Sequence, residues 1–135
     1  MGLRIQLVRN RSIVFQAPLT PGEWGSRAEK MLRKEFERCD SHVQQLSEIC
    51  DVLSNEKRLR MLLKMASGWS ESTRFTDLLR LCLNPKYVND LLERSKKTNL
   101  VVKCDGGYRI SPLGLGSLFT LSVALKHLMD ELEEA

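Results

Sequence analysis

Cysteine and histidine are the side chains that most often bind metals or act as nucleophile and base, and this chain has four cysteines and two histidines. His42 and His127 lie far apart, and no two cysteines form a CxxC pair, which excludes a zinc site of ordinary spacing. No serine or cysteine lies in a nucleophile-elbow motif, and the glycines at 106–107 and 113–116 lack the lysine of a phosphate-binding loop. We therefore expect a protein that is not an enzyme and that holds neither a metal nor a cofactor.

The composition is that of a soluble globular protein, and the positive charge is unevenly spread. Of 135 residues, 42% are hydrophobic and 28% are charged, and the length allows one domain. The formal net charge is +4. Segment 61–110 carries nine bases and five acids, whereas 111–135 carries one base and four acids. This split predicts that any contact with a polyanion is made by the middle of the chain.

No segment has the character of a membrane span or a signal peptide. No apolar run approaches the length of about 18 residues that a span requires. The N-terminal sequence MGLRIQLVRNRSIVF has no uninterrupted apolar segment and no small-residue cleavage site. We expect a cytoplasmic protein with reduced thiols and no membrane partner.

Two kinds of hydrophobic periodicity divide the first 53 residues. Residues 3–16 alternate around Asn10-Arg11, which predicts a β-hairpin within an arm of residues 1–25. Over residues 26–53 the apolar spacing alternates between 4 and 3, the heptad pattern of a long helix. This stripe either packs on its own domain or pairs in part with a second copy of the chain. Its members are Leu32, Phe36, Cys39, Val43, Leu46, Cys50 and Leu53.

Capping residues predict three helices after this stripe. Ser54 is a suitable N-cap for the first, and a short one begins near Thr76. Asn84-Pro85 is the sharpest local signal in the chain, because asparagine caps helices and proline is tolerated at their first position. It predicts a helix over about residues 85–98.

The C-terminal third combines a second hairpin with a final helix. Strand-like runs flank Asp105-Gly106-Gly107 within about residues 100–111, and the glycines supply the positive φ angles of a tight turn. Ser111-Pro112 repeats the cap-plus-proline signal and predicts a helix within residues 112–135. The fold class is therefore mainly α with a small β-hairpin wing: a winged helix-turn-helix over residues 54–111, flanked by long N- and C-terminal helices.

One stretch of the chain resembles a known class of proteins. Residues 74–114, RFTDLLRLCLNPKYVNDLLERSKKTNLVVKCDGGYRISPLG, resemble the DNA-binding core of the HxlR, ArsR and MarR-type transcriptional regulators of prokaryotes and archaea. The matching features are Arg74-Phe75, Asn84-Pro85-Lys86, Asn99-Leu100-Val101 and Tyr108-x-x-Ser111-Pro112-Leu113-Gly114. The run LSNEKRLRMLL at 53–63 resembles the start of the ArsR-type domain. The resemblance implies a homodimer that regulates transcription by placing a recognition helix in the major groove of double-stranded DNA.

The resemblance also implies which residues contact DNA. Asn89 is placed to bond adenine, and Asp90 or Glu93 to accept from cytosine. Lysines and arginines on the helix and the wing are better placed for phosphates, which position the protein without reading sequence. The expected contacts are Lys86, Tyr87, Asn89, Asp90, Glu93, Lys96, Lys97, Lys103 and Arg109.

The terminal helices of such regulators pair in the dimer. The residues expected to take part here are Leu32, Phe36, Cys39, Val43, Leu46, Cys50, Leu118 and Leu125. Metal-sensing relatives carry two cysteines one residue apart on the helix before the turn. This chain has Leu81-Cys82-Leu83 there, so we expect Cys82 to pack in the core.

Two other functions fit the same fold. A winged helix can serve as a protein–protein interaction module, because the fold does not dictate function. It can also serve as an architectural or partition-type protein that coats DNA with little sequence preference.

Overall fold

The chain divides into two compact units, residues 1–44 and 45–135, where its length alone favours one domain. The computed structural model describes residues 2–19, 25–82 and 84–134, without the side chains of Cys82 and Glu134. It is mostly helical with two small antiparallel hairpins, which agrees with the expected mixture of mainly α structure and a small β element.

The first unit begins with the predicted hairpin. Strands β1 (Arg4–Arg9) and β2 (Ser12–Pro18) pair antiparallel, with a register shift between Leu7 and Val8. Asn10 and Arg11 form the turn, with φ of 49° and 68°. Two consecutive positive φ angles are typical of the type I′ turn, whose twist matches that of paired strands.

The predicted long helix over residues 26–53 is interrupted. Helix α1 (Ser26–Arg38) is followed by a 3-10 turn at Cys39–His42 and then by α2 (Val43–Leu53). The Ser41 hydroxyl donates to the carbonyl oxygen of Arg38 at 3.1 Å, a local bond that competes with α-helical geometry. The expected linker around Pro21 and Gly22 lies outside the described residues.

Three capped helices follow in the second unit. Helix α3 (Glu56–Ser67) is capped by Asn55, whose side chain accepts from the Arg58 N–H; the expected cap was Ser54. Ser54 instead donates its hydroxyl to the carbonyl oxygen of Asp51. Helix α4 (Phe75–Cys82) begins next to the expected position, and α5 (Pro85–Lys97) is capped by Asn84 as predicted.

A close turn joins α5 to the second hairpin. Asn99 has φ of 62°, and the Leu100 N–H reaches back to the carbonyl oxygen of Ser95 at 2.8 Å, the bonding pattern of a Schellman motif. Strands β3 (Val101–Cys104) and β4 (Gly107–Ile110) then pair antiparallel. Thr73 adds a bridge to this hairpin through two hydrogen bonds with Tyr108, at 2.7 and 2.8 Å.

The final helix is long, and its hydrogen bonding changes in the middle. It consists of α6 (Pro112–Leu118), a π-helical stretch at Phe119–Ala124, and α7 (Leu125–Glu134). Ser111 caps it by accepting from the Gly114 N–H, as its cap-plus-proline signal predicted.

This helix is long and apolar enough to cross a membrane by length and composition alone. Residues 112–133 have a mean hydropathy of 1.2 over a window of which 11% is buried. However, Gly114 and Leu118 are packed into the second unit.

The core of the second unit gathers around α5. Leu78, Val88 and Leu91 are fully buried, with 0% of each residue exposed. They pack with residues from α2, α3, the hairpin and α6 in one cluster. One face of α5 therefore lies in this core, and α4 and β3 are the elements that contact α5 most extensively.

The contrast between two glycines of α6 tests this packing. A Cβ at Gly114 would collide with the carbonyl oxygen of Leu100 and lie 2.8 Å from Cγ1 of Ile110, whereas a Cβ at Gly116 meets nothing within 4 Å. We expect Gly114→Ala to lower the free energy of unfolding by about 1–3 kcal/mol. Gly116→Ala, the matched control, should raise it by about 0.5–1 kcal/mol, because alanine favours the helix. Urea unfolding measures both, and equal effects would contradict the close packing of α6 on Leu100.

Candidate nucleic-acid interface

Helix α5 has one face anchored in the core and the other open to solvent. Val88, Leu91, Leu92 and Ser95 are each at most 2% exposed. Their positions recur every three or four residues, so they occupy one side of the helix. The buried side fixes the position of the helix, and the side chains on the opposite side stay exposed to solvent.

The open face carries most of the residues expected to bind. Lys86, Tyr87, Asn89, Glu93 and Lys97 are all exposed. They offer amine, phenol, amide and carboxylate groups at the surface, which together can donate to and accept from base edges.

Lys57 joins this face, although no sequence pattern pointed to it. Its Nζ lies 4.7 Å from the centroid of the Tyr87 ring, a cation–π contact between α3 and α5. The contact joins residues thirty positions apart, so no local motif reveals it. It adds a positive charge beside Tyr87.

Two acidic residues among the expected contacts are engaged in ion pairs. Glu93 lies 3.1 Å from the Nζ of Lys96, which is half-buried. Asp90 accepts from Arg94 at 2.9 and 3.1 Å and lies 3.5 Å from Arg58. Asp90 therefore serves as an anchor of α5, because its carboxylate already has two cationic partners within the chain.

Arg58 is the centre of a polar clamp between α2, α3 and α5. Its side chain is 13% exposed. Nε donates to the carbonyl oxygen of Val52 at 3.0 Å, and another nitrogen donates to that of Asp51 at 2.8 Å. These carbonyls belong to the last turn of α2 and have no partner within that helix. The third nitrogen faces Asp90, so one guanidinium fixes α5 to the end of α2.

Arg94 extends the clamp on the exposed side. Beyond its bonds to Asp90, it donates to the Asp51 carboxylate at 2.8 Å. The hydrogen bond from Arg94 to Asp90, and then the charges of Asp90 and Asp51, raise the pKa of Arg94 above its ordinary value. Arg94 thus stays protonated and neutralises two carboxylates near the open face of α5.

The second hairpin carries two of the expected phosphate contacts on opposite faces. Lys103 pairs with Tyr108, and Val102 pairs with Arg109. Cross-strand partners share a face and successive residues alternate, so Lys103 and Arg109 point to different sides. Tyr108 packs against the core, which leaves the face of Arg109 and Val102 as the outer one.

The expected dimerisation residues differ in exposure. Leu118 is 3% exposed and belongs to the core, so almost none of its surface is left for a second copy. Leu32 is half-buried. The exposed members are Phe36, Cys39, Val43, Leu46, Cys50 and Leu125.

The cysteines have no metal-binding arrangement in the part of the chain that the structure describes. Cys39 and Cys50 are exposed free thiols and Cys104 is half-buried. No three histidine, cysteine, aspartate or glutamate side chains come together across residues 2–19, 25–82 and 84–134. The expected core position of Cys82 concerns a side chain outside the described part.

Comparison with protein-family models and with curated proteins finds no match to this chain. The site is therefore interpreted from its own geometry.

The polar clamp yields a prediction about stability. Arg58→Ala is expected to lower the free energy of unfolding by about 2–4 kcal/mol, because two carbonyls and one carboxylate lose a buried charged donor. Arg60, two positions away on α3, forms an ion pair with Glu56 in which both side chains are more than three-quarters exposed. Arg60→Ala should change stability by less than about 0.5 kcal/mol. Denaturant titration compares the two, and similar losses would show that Arg58 is not a clamp.

Proposed function

We propose that residues 54–111, within the unit 45–135, form a winged helix-turn-helix and that the protein is a DNA-binding transcriptional regulator. Helix α5 is the recognition helix, and the β3–β4 hairpin is the wing that lies on the DNA backbone. The observation that carries this proposal is the geometry of α5, which is anchored by four buried residues and presents Lys86, Tyr87 and Asn89 to solvent.

The order and spacing of the elements support this interpretation. Two positions separate the end of α4 from the start of α5, a short connection close to the turn of about three or four residues that is typical of a helix-turn-helix. The hairpin follows α5 directly, through the turn at Asn99. Thr73, ahead of α4, adds an isolated β-bridge to the hairpin.

The open face of α5 divides into groups suited to bases and groups suited to phosphates. The Asn89 amide can donate to and accept from adenine, and Glu93 can accept from cytosine if it leaves Lys96. Lys86, Lys97 and Arg109 are cations suited to phosphate contacts, and Lys57 adds another. Asp90 acts through Arg58 and Arg94 as a positioning residue rather than as a reader of bases.

The protein acts as a homodimer in this proposal. Phe36 is 73% exposed, Val43 is 53% exposed and Leu125 is 44% exposed. Large apolar side chains at helical spacing on surfaces that the chain leaves uncovered favour association with a second copy. A dimer would bring two copies of α5 to successive major grooves of one duplex.

The recognition role of α5 is tested by removing the side chains of Lys86 and Asn89. We expect Lys86→Ala with Asn89→Ala to weaken binding to a selected site by about 2–5 kcal/mol while leaving stability unchanged. Lys126→Ala removes the same charge from α7 and serves as the control. Selection of bound fragments from random duplex DNA, followed by a gel-shift titration, supplies the site and the affinity.

Other outcomes of that titration contradict the proposal in different ways. Absence of binding at low salt would favour a protein–protein interaction module. Binding that a scrambled duplex competes equally well would favour an architectural protein. A site preference unchanged by the double substitution would remove Lys86 and Asn89 from the reading face.

The dimer proposal is tested by placing a charge on each exposed apolar helix face. Val43→Asp and Leu125→Asp are each expected to shift the protein from dimer to monomer in sedimentation equilibrium, because a buried carboxylate without a partner is costly. Ser117→Asp, on the same final helix but outside the apolar set, is the control. A wild-type monomer, or a dimer that withstands both substitutions, would refute the proposed interface.

A further inference from the structure

The β1–β2 hairpin projects into solvent over most of its length. Every residue from Arg4 to Val14 is exposed, and burial begins only near the other end of β2, where Ala17 is 6% exposed. Strand β2 contacts α1, so the hairpin is attached at that end. Six residues of β1 correspond to a ribbon about 20 Å long.

The turn of this ribbon carries an arginine in a conformation that favours glycine. Arg11 has φ of 68°, at the second central position of a type I′ turn, where Asn-Gly is the preferred pair. An L-residue with a long side chain adopts this conformation at a steric cost. Strained residues of this kind concentrate where a side chain has a role to perform.

The ribbon is uniformly basic. Its charged residues are Arg4, Arg9 and Arg11, and no acid occurs in the first 19 residues. Arg9 stands at the last position of β1 and Arg11 in the turn, so two guanidinium groups flank the tip. Beside them, Val8 pairs with Ile13, and both are about half exposed.

We propose that this ribbon is a second DNA-binding element, in which Arg9 and Arg11 contact the phosphates that line a groove. A two-stranded ribbon fits the major groove in width, and the positive tip complements the phosphate charge. Arg4 and Arg9 both lie on β1, so the β1 strands of two ribbons that paired edge to edge would bring like charges together. Charged residues of this kind protect a sheet edge from pairing with another copy. The proposal rests on the proposed function, because both take DNA as the ligand of this chain.

The turn itself provides a substitution that separates charge from structure. Arg11→Gly creates Asn-Gly, the turn sequence that favours this hairpin, while removing the guanidinium. A purely structural role predicts unchanged or higher thermal stability and unchanged DNA binding. The DNA-binding role predicts weaker binding by roughly five- to tenfold per contacting arginine at about 0.1 M salt.

The experiment uses the full chain and a mixed-sequence duplex of about 40 base pairs, roughly four helical turns, titrated from about 50 to about 200 mM salt. We expect Arg11→Gly to reduce the slope of log affinity against log salt by about 0.9 per protomer, and Arg11→Lys to retain most of the slope. Arg33→Gln removes the same charge from α1, where Arg33 pairs with Glu29, and is the control. Its slope should stay close to that of the wild type.

Each other result has one meaning. A wild-type protein that binds the duplex, with an unchanged slope in Arg11→Gly, would overturn the role of the ribbon and leave the proposed function standing. Equal decreases of the salt slope in Arg11→Gly and Arg33→Gln would assign the effect to net charge. This result would also overturn the role of the ribbon. A lower oligomeric mass in Arg11→Gly would make the ribbon a protein contact. A wild-type chain that binds no duplex would refute both proposals.

Discussion

The arrangement of residues 45–135 depends on the burial of one face of α5. Val88, Leu91 and Leu92 are removed almost completely from water, and each such side chain contributes about 1.5–3 kcal/mol. The same helix ends in a turn that buries Leu100, which is 1% exposed and starts the second hairpin. Burial of one helix face therefore fixes both the orientation of the open face and the origin of the hairpin. A change that loosens this face would displace α5 and the β3–β4 hairpin together.

Polar contacts then decide which charges the open face presents. Acidic residues on a helix that binds DNA would repel phosphates, and Asp90 and Glu93 both lie on α5. Arg58 and Arg94 neutralise Asp90, and Lys96 neutralises Glu93. The exposed pairs contribute little to stability, because solvent screens them. Their effect on the field at the surface is larger, since Lys57, Lys86 and Lys97 then dominate the potential that an approaching polyanion meets.

The sequence predicted those features that short-range chemistry determines. Asn84-Pro85 and Ser111-Pro112 located two helix starts, because an N-cap and a first-turn proline act within four residues. Features that depend on tertiary contact were not predictable. The contact of Arg58 with Asp90 and the bridge of Thr73 to Tyr108 each join residues more than thirty positions apart, and no local pattern marks them. The 3-10 turn and the π-helical stretch interrupt helices whose apolar spacing is regular. That spacing records only which residues are hydrophobic and not how each helical turn is hydrogen-bonded.

The two surfaces proposed for association and for DNA binding respond to salt in opposite ways. Contacts with phosphates release counterions, so added salt weakens them. The apolar residues of the final helix, such as Leu125 and Met129, associate through burial, which salt does not oppose. Segment 111–135 carries one base and four acids, so two copies are both negative there, and salt screens the repulsion between them. If the proposed dimer forms through this helix, we expect it to persist at the salt concentrations that release DNA. The loss of DNA at high salt then reports the basic surfaces alone rather than dissociation of the protein.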